Sequence, residues 1–176
     1  MTDPSQAVIE IASPAGHLRL RPERDEDDDF RFALFCQSRP TELALMPVDP
    51  VAHEQLMRIQ YRGQTMTYRT NFPGARFDII ERGGSAIGRL VTDRAGRHIA
   101  IVDWAIMSEM RGRGIGTAIM QSLMEEARQT KREVRLKVVS SNEAALRLYL
   151  RLGFAPVEEM PLYTELAWNV GGSHDG

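Results

Sequence analysis

The stretch from Ile99 to Thr117, IAIVDWAIMSEMRGRGIGT, decides the fold. It begins as an apolar run rich in β-branched residues and ends with three glycines at alternate positions, Gly112, Gly114 and Gly116. Beyond these glycines, apolar residues recur at every fourth position, at Ile115, Ile119, Leu123 and Ala127. This change of period predicts a strand, then a glycine turn, then an amphipathic helix.

A glycine turn that opens a helix is suited to binding a phosphate. The first amide N–H groups of a helix have no partner within it, and glycines let an anion approach the bare backbone. We therefore interpret residues 111 to 117 as a phosphate cradle. The alternative is a tight turn whose glycines serve only close packing.

Spacing separates the known kinds of phosphate loop. A P-loop requires a lysine directly after its last glycine, but the first lysine of the chain is Lys131. A dinucleotide-binding fingerprint requires a third glycine where Ile119 stands and an acidic residue where Ser140 stands. The P-loop is thereby excluded and the dinucleotide fingerprint is weak.

Length and composition bound the protein class. A chain of 176 residues with 43% hydrophobic and 26% charged residues is typical of one globular domain. A formal net charge of −2 argues against nucleic acid as a partner. The single cysteine, Cys36, fits a reducing compartment, and we see neither a signal peptide nor a membrane span. We expect a cytoplasmic protein that binds no membrane.

The order of predicted elements is β, α, α, β, β, β, α, β, α, β, β. Hairpins in the first part and strand–helix–strand crossovers in the second predict an α/β fold with helices on both faces of a mixed sheet. We expect a flexible segment over residues 1–16, in which Val8 to Ile11 are compatible with a short strand. One domain should cover residues 17–169, followed by a tail over residues 170–176.

Two helices carry more detailed predictions. The second, from Val51 to Tyr68, has three apolar residues on one side, Leu56, Ile59 and Met66. The fourth should open with the capping box Ser140 to Glu143. Because most of its remaining residues are apolar, we expect that helix to be buried on most of its circumference.

Two motifs together resemble the GNAT superfamily of acyl-CoA-dependent N-acyltransferases. The loop with Arg111, Gly114 and Gly116 is similar to the family's motif A. Asn142, then Tyr149, then Leu152-Gly153-Phe154 is similar to its motif B. The resemblance covers residues 17 to 168 and departs at Ser108, where many members carry proline. It implies a mostly antiparallel sheet of about seven strands, splayed between the fourth and fifth.

The resemblance also implies that acetyl-CoA is the co-substrate. The loop amides would bind its pyrophosphate, which assigns Arg111, Gly112, Arg113, Gly114, Ile115, Gly116 and Thr117 to cofactor binding. Backbone groups of the splayed strand would face the pantetheine arm and the thioester, at Ala105, Ile106 and Met107. Asn142 either contacts the cofactor or this strand, or simply caps its helix.

The expected reaction is direct transfer of acetyl to a primary amine in a ternary complex, with no metal. Tyr149 matches the family's general acid, which protonates the leaving thiolate; the alternative is a tyrosine that only packs. Asp103, the only carboxylate inside the central strand, is the candidate base, and a structural carboxylate is the equal alternative. Glu81 is the reserve candidate.

The acceptor is not readable from the sequence beyond an amine-bearing small molecule or peptide. The alternative function is an acyl-CoA-binding sensor or structural domain without catalysis, and a nucleotide-binding module is a third possibility. The resemblance also allows a homodimer, because many GNAT proteins dimerise.

Overall fold

The structure is a computed structural model that describes residues 7–38 and 49–171. The described residues form eight strands, β1 Ile9–Ser13, β2 Gly16–Pro22, β3 Arg76–Arg82, β4 Ser85–Asp93, β5 His98–Ile106, β6 Glu133–Val139, β7 Ala155–Glu159 and β8 Tyr163–Trp168. They also form four α-helices, α1 Asp28–Gln37, α2 Pro50–Asn71, α3 Ile115–Thr130 and α4 Glu143–Arg151.

All eight strands belong to one sheet, in the order β1-β2-β3-β4-β5-β6-β8-β7. Every neighbouring pair is antiparallel except β5 and β6, which α3 connects as a parallel crossover. The predicted α/β class with a mixed, mostly antiparallel sheet is confirmed. The strand count is eight instead of about seven, because the N-terminal segment contributes a full strand.

The prediction of a flexible segment over residues 1–16 is wrong for its second half. Ile9 to Ser13 pair with β2, from Ile9 opposite Leu20 to Ser13 opposite Gly16. Ile9 and Ile11 alternate with polar residues, so both side chains point to the sheet face that α3 covers. Ile11 is buried in the main core there, which explains why the segment is ordered as a strand.

The sheet splays in its middle, between β5 and β6. In the described chain, β5 pairs with β6 only from His98 to Ile101, opposite Glu133 to Leu136. Beyond this point β5 continues to pair with β4 as far as Ile106, while β6 continues with β8 as far as Val139. The two strands therefore diverge toward their carboxyl ends, at the predicted position.

Helix α3 carries the largest share of the helical contribution to the core. Its buried residues follow the predicted helical period: Ile115, Ala118, Ile119, Met120, Leu123, Met124 and Ala127. They pack against apolar side chains of the sheet, such as Leu18, Leu90 and Val134. The helix is thus held firmly, and its N-terminus is fixed at the end of the splay.

The buried side of α2 differs from the predicted one. Met57 and Tyr61 are the buried residues of this helix, whereas the predicted apolar side is exposed: Leu56, Ile59 and Met66. The Tyr61 ring packs against the Phe32 and Phe35 rings of α1. This aromatic cluster, together with the bond from the Tyr61 hydroxyl to Asp28, orients the helix.

Helix α4 corrects two predictions. Its N-cap is Asn142, whose side-chain oxygen accepts the Ala145 N–H at 3.2 Å, so the capping box at Ser140 does not form. Tyr149 is the one buried residue of the helix, and Leu150 is 50% exposed. The helix lies at the rim of the sheet and is not buried on most of its circumference.

Residues 39–48 and the part of the predicted tail beyond Gly171 lie outside the described residues. Within residues 7–38 and 49–171, no helix is long and apolar enough to cross a membrane. The same residues hold no group of three or more His, Cys, Asp or Glu side chains arranged as metal ligands.

Candidate active site

The N-terminus of α3 has the geometry that a phosphate cradle requires. Gly114 is its N-cap, with φ of 78°, and Gly112 has φ of 72°, backbone conformations that favour glycine. The first helical bond runs from the Ala118 N–H to the Gly114 carbonyl. The three preceding amides of the helix therefore have no helical acceptor, and no described side chain caps them. An anion such as pyrophosphate fits this arrangement.

The two glycines of this turn have different neighbours. A Cβ on Gly114 would lie 3.1 Å from Pro14, at the tip of the β1–β2 hairpin. A Cβ on Gly116 would lie 2.7 Å from the Trp104 ring, which rests against the first turn of α3. At Gly116 the packing alternative therefore holds, although its amide still points to the cradle with those of Ile115 and Thr117.

The arginines of the loop are exposed and do not act alike. Arg111 Nε donates to the Ile106 carbonyl at 3.0 Å, which ties the loop back to the end of β5. Arg113 lies between the two positive-φ glycines with an exposed side chain. Arg113 is thus the one placed to add charge beside a bound phosphate.

The end of β5 offers one backbone donor to the splay instead of three. The Met107 N–H donates to the Ile87 carbonyl at 2.9 Å, so the expectation of an unpaired amide is wrong at Met107. In antiparallel pairing, alternate residues bond the same neighbour, which directs Ala105 toward Arg89 of β4 and the Ile106 N–H toward the splay. The Ile106 amide is the candidate oxyanion donor.

Tyr149 projects from α4 and is almost fully buried, at 3% exposed. Its hydroxyl oxygen accepts the Trp104 Nε1–H at 2.6 Å, and its ring packs edge-on against Phe154. Burial raises the pKa of Tyr149 to about 12; the Trp104 bond opposes this rise and the charge of Asp103 adds to it. Because the oxygen already accepts a bond, the hydroxyl proton remains available for donation.

Asp103 lies on the opposite face of the sheet from Tyr149. Its Oδ2 is 3.7 Å from Nη1 of Arg89, and 29% of its side chain is exposed. Asp103, Arg89 and Ala105 line a small cleft beside α1 and α2. The alternation of β5 explains the separation, since Asp103 and Ala105 point to one face and Trp104 to the other.

Glu81 is not part of the site. Its Oε1 accepts the Arg21 Nε–H at 2.6 Å, and it pairs in register with Ala86, whereas Asp103 pairs with Val91 further along β4. Arg21 also forms an ion pair with Asp27. Glu81 is therefore a structural carboxylate that joins β2 to β3.

The profile of the acetyltransferase (GNAT) family matches residues 43–154, more than half of the chain. The chain belongs to the GNAT acetyltransferase family. The matched range includes the glycine loop, the splayed strand and Tyr149, which are the elements just described.

Two relatives share part of this GNAT chain. An N-alpha-acetyltransferase of Sulfurisphaera tokodaii is 35% identical over 86 residues, 48% of this chain and 50% of that protein. A tRNA(Met) cytidine acetyltransferase of Saccharolobus solfataricus is 27% identical over 99 residues, 50% of this chain and 13% of that protein. The matched segments thus span half of the first relative's length and a small part of the second's.

Solved structures with the GNAT fold resemble the whole domain. The PaiA N-acetyltransferase of Thermoplasma acidophilum, in complex with coenzyme A, has a TM-score of 0.64 at 14% identity, over 86% of this chain and 98% of that one. The ribosomal L7/L12 alpha-N-protein acetyltransferase RimL also has a TM-score of 0.64, at 15% identity, over 97% and 99%. At this identity the likeness shows the fold.

Sequence reasoning missed two residues of this GNAT site. Trp104 lies within the stretch Ile99 to Thr117, but nothing in the sequence indicates that its indole N–H donates to Tyr149. Arg89 could have been noticed, because it is a charged residue at an inward position of a strand whose neighbours Ile87 and Val91 are buried.

Proposed function

We propose that this protein transfers an acetyl group from acetyl-CoA directly to a primary amine of a small molecule or peptide. One observation carries the proposal. Trp104, on the splayed strand β5, joins the uncapped N-terminus of α3 to the Tyr149 hydroxyl, because its ring lies against Gly116 and its Nε1–H donates to that hydroxyl. The family membership and the coenzyme A complex of the PaiA relative support it.

Bound acetyl-CoA would supply an activated thioester, and the protein supplies position and protons. The amides of Ile115, Gly116 and Thr117 are suited to hold its pyrophosphate, with Arg113 adding positive charge. The Ile106 N–H is directed into the splay, where it would stabilise negative charge on a carbonyl oxygen.

Two side chains divide the proton transfers between the faces of the sheet. A free alkylamine has a pKa of about 10.4, so most of it is protonated at neutral pH. We assign Asp103, which lines the cleft on the face of α1 and α2, as the group that accepts that proton, directly or through water. Tyr149 holds a proton at its Oη on the other face for a departing thiolate.

The first test measures thiol released from acetyl-CoA across polyamines, aminoglycosides, amino acids and peptides. Wild-type protein should release thiol with at least one class of amine. Tyr149→Phe should lower kcat about 100-fold, the usual contribution of a general acid, with little change in acetyl-CoA affinity. Full activity of Tyr149→Phe would remove Tyr149 as the acid.

A second variant, Gly114→Val, tests whether the N-terminus of α3 binds acetyl-CoA. Gly114→Val places a branched side chain at a positive φ and against Pro14, so acetyl-CoA affinity should fall while Tyr149 remains in place. Acetyl-CoA binding without thiol release for any amine would favour the sensor or structural role instead of transfer.

A further inference from the structure

A buried arginine faces the acceptor side of the site with unused hydrogen-bond donors. Arg89 is 5% exposed and lines the cleft beside α1 and α2, together with Asp103 and Ala105. Among residues 7–38 and 49–171, its Nε and Nη2 have no hydrogen-bond acceptor. Leaving such donors unpaired in the interior is costly, and each specific case calls for an explanation.

The nearby carboxylates do not satisfy Arg89. Nε is 3.6 Å from Oε2 of Glu23, and Nη1 is 3.7 Å from Oδ2 of Asp103, both beyond normal hydrogen-bond length. Arg31, at 2.8 Å, and Arg69 engage the other oxygen of Glu23, Oε1, so that Oε2 faces Arg89 without a hydrogen-bond partner among the described residues. Nη2 has no hydrogen-bond acceptor within the described chain.

The cleft therefore presents a cation and an anion side by side. A guanidinium edge is suited to an oxygen acceptor, and the Asp103 carboxylate is suited to an amine. The rest of the lining mixes polar residues with apolar ones, namely Arg31, Ser38 and Gln64 with Leu34, Phe35 and Trp104. A simple alkylamine would use Asp103 and leave Arg89 unpaired.

We infer that Arg89 and Asp103 form an acceptor subsite for an α-aminoacyl group, a primary amine with a carboxylate or carbonyl oxygen on the adjacent carbon. The amine lies at Asp103, and the oxygen accepts from Arg89. This inference rests on the proposed function and narrows its acceptor. The carboxylate of a free amino acid and the first carbonyl of a peptide share this chemistry.

The experiment compares amines with and without the adjacent oxygen. The first set is alanine, alaninamide and a peptide with a free N-terminal alanine. The second set is isobutylamine and an N-terminally blocked peptide with one lysine. Wild-type protein should acetylate the first set, and the member preferred within it identifies the carboxylate or the carbonyl as the natural oxygen.

Arg89→Met tests the residue itself. The ratio of kcat/KM between the two sets should fall at least 10-fold, mainly through the acceptor KM, because the first set loses a hydrogen bond from a charged donor and the second does not. The ratio compares the same amines in each variant, so their different basicities cancel. Arg89→Lys, which keeps the charge without the planar fork, should recover part of the ratio.

Arg76→Met is the matched control, because Arg76 is similarly buried but pairs with Asp78. It should leave the ratio unchanged, and acetyl-CoA affinity should confirm that the Arg89 variants are folded. Equal or better acetylation of the second set by wild-type protein would overturn the subsite and retain the transferase. Acetylation of neither set overturns the subsite, and if polyamines and aminoglycosides also release no thiol while acetyl-CoA binds, the transferase proposal fails with it.

Discussion

At the scale of single residues, the glycines of the loop serve two purposes that the spacing alone does not separate. Gly112 and Gly114 adopt positive φ, which the turn into α3 requires. Gly116 has no such conformation, and its missing side chain makes room for the Trp104 ring. The loop that would hold pyrophosphate therefore contacts Trp104, whose indole N–H donates to the Tyr149 hydroxyl.

Gly116→Ala should destabilise the protein. Its Cβ would meet the Trp104 ring at 2.7 Å, and overpacking of this kind costs about 1 to 3 kcal/mol. Gly63→Ala is the control, because it lies in α2 with no atom within 4 Å of an added Cβ and should stabilise the helix by about 1 kcal/mol. Urea unfolding measures both, and equal effects would contradict the packing of Trp104 on α3.

The pKa of Tyr149 predicts the pH dependence of transfer. An acid with a pKa of about 12 stays protonated through neutral and moderately alkaline pH. The kcat/KM for an alkylamine should therefore rise from pH 7 to pH 10 as the amine loses its proton, and for an α-amine, whose pKa is about 8, it should rise and then level, with no alkaline decline in that range. A decline near pH 9 that is absent in Tyr149→Phe would mean that burial does not protect the proton.

The residues of the site differ in how far sequence could reveal them. Tyr149 and the glycines belong to motifs with fixed spacing, so their approximate placement was predictable. Arg89 and Trp104 acquire their roles from partners more than ten positions away, and the partner is visible only when β4, β5 and α4 are assembled. Asn142 was left between two roles, and its bond to the Ala145 amide supports capping.

At the scale of elements, β1 shows that a short alternating pattern near a terminus can form an integral strand of the sheet. Only five residues long, it carries alternating Ile9 and Ile11 beside a proline turn, a weak signal in isolation. Its burial depends on α3, which lies about a hundred positions later. The buried face of α2 was predicted wrongly for a related reason. Apolar residues occur on two sides of this helix, and packing against the aromatic rings of α1 determines which side is buried.

Ile11→Ala tests whether β1 is an integral strand. Ile11 is 7% exposed within the main core, so its truncation should lower the free energy of unfolding by about 2 to 4 kcal/mol. Val8→Ala, at a position just before the strand that is 41% exposed, should change it by less than about 0.5 kcal/mol. Similar small effects of both variants would restore the flexible segment.

At the scale of the whole molecule, element order was the most predictable property. Turn patterns before and after β4 predict hairpins with β3 and β5, and the strand–helix–strand unit around α3 predicts a parallel crossover. These local rules specify most of the sheet order, together with the point at which its direction changes. The placement of Asp103 and Tyr149 on opposite faces of the sheet was not predictable, because it depends on the face against which α4 packs.

The parting of β5 and β6 has a consequence for how the protein opens. Only four residue pairs join the two strands, so the sheet consists of two hydrogen-bonded blocks, β1 to β5 and β6 to β8, with a short seam. Such blocks tend to open as separate cooperative units. Native-state hydrogen exchange should give lower opening free energies for amides of β7 and β8 than for those of β3 and β4. If acetyl-CoA binds at the seam, as proposed, it should bring the two opening free energies together, so that tighter binding makes unfolding more cooperative.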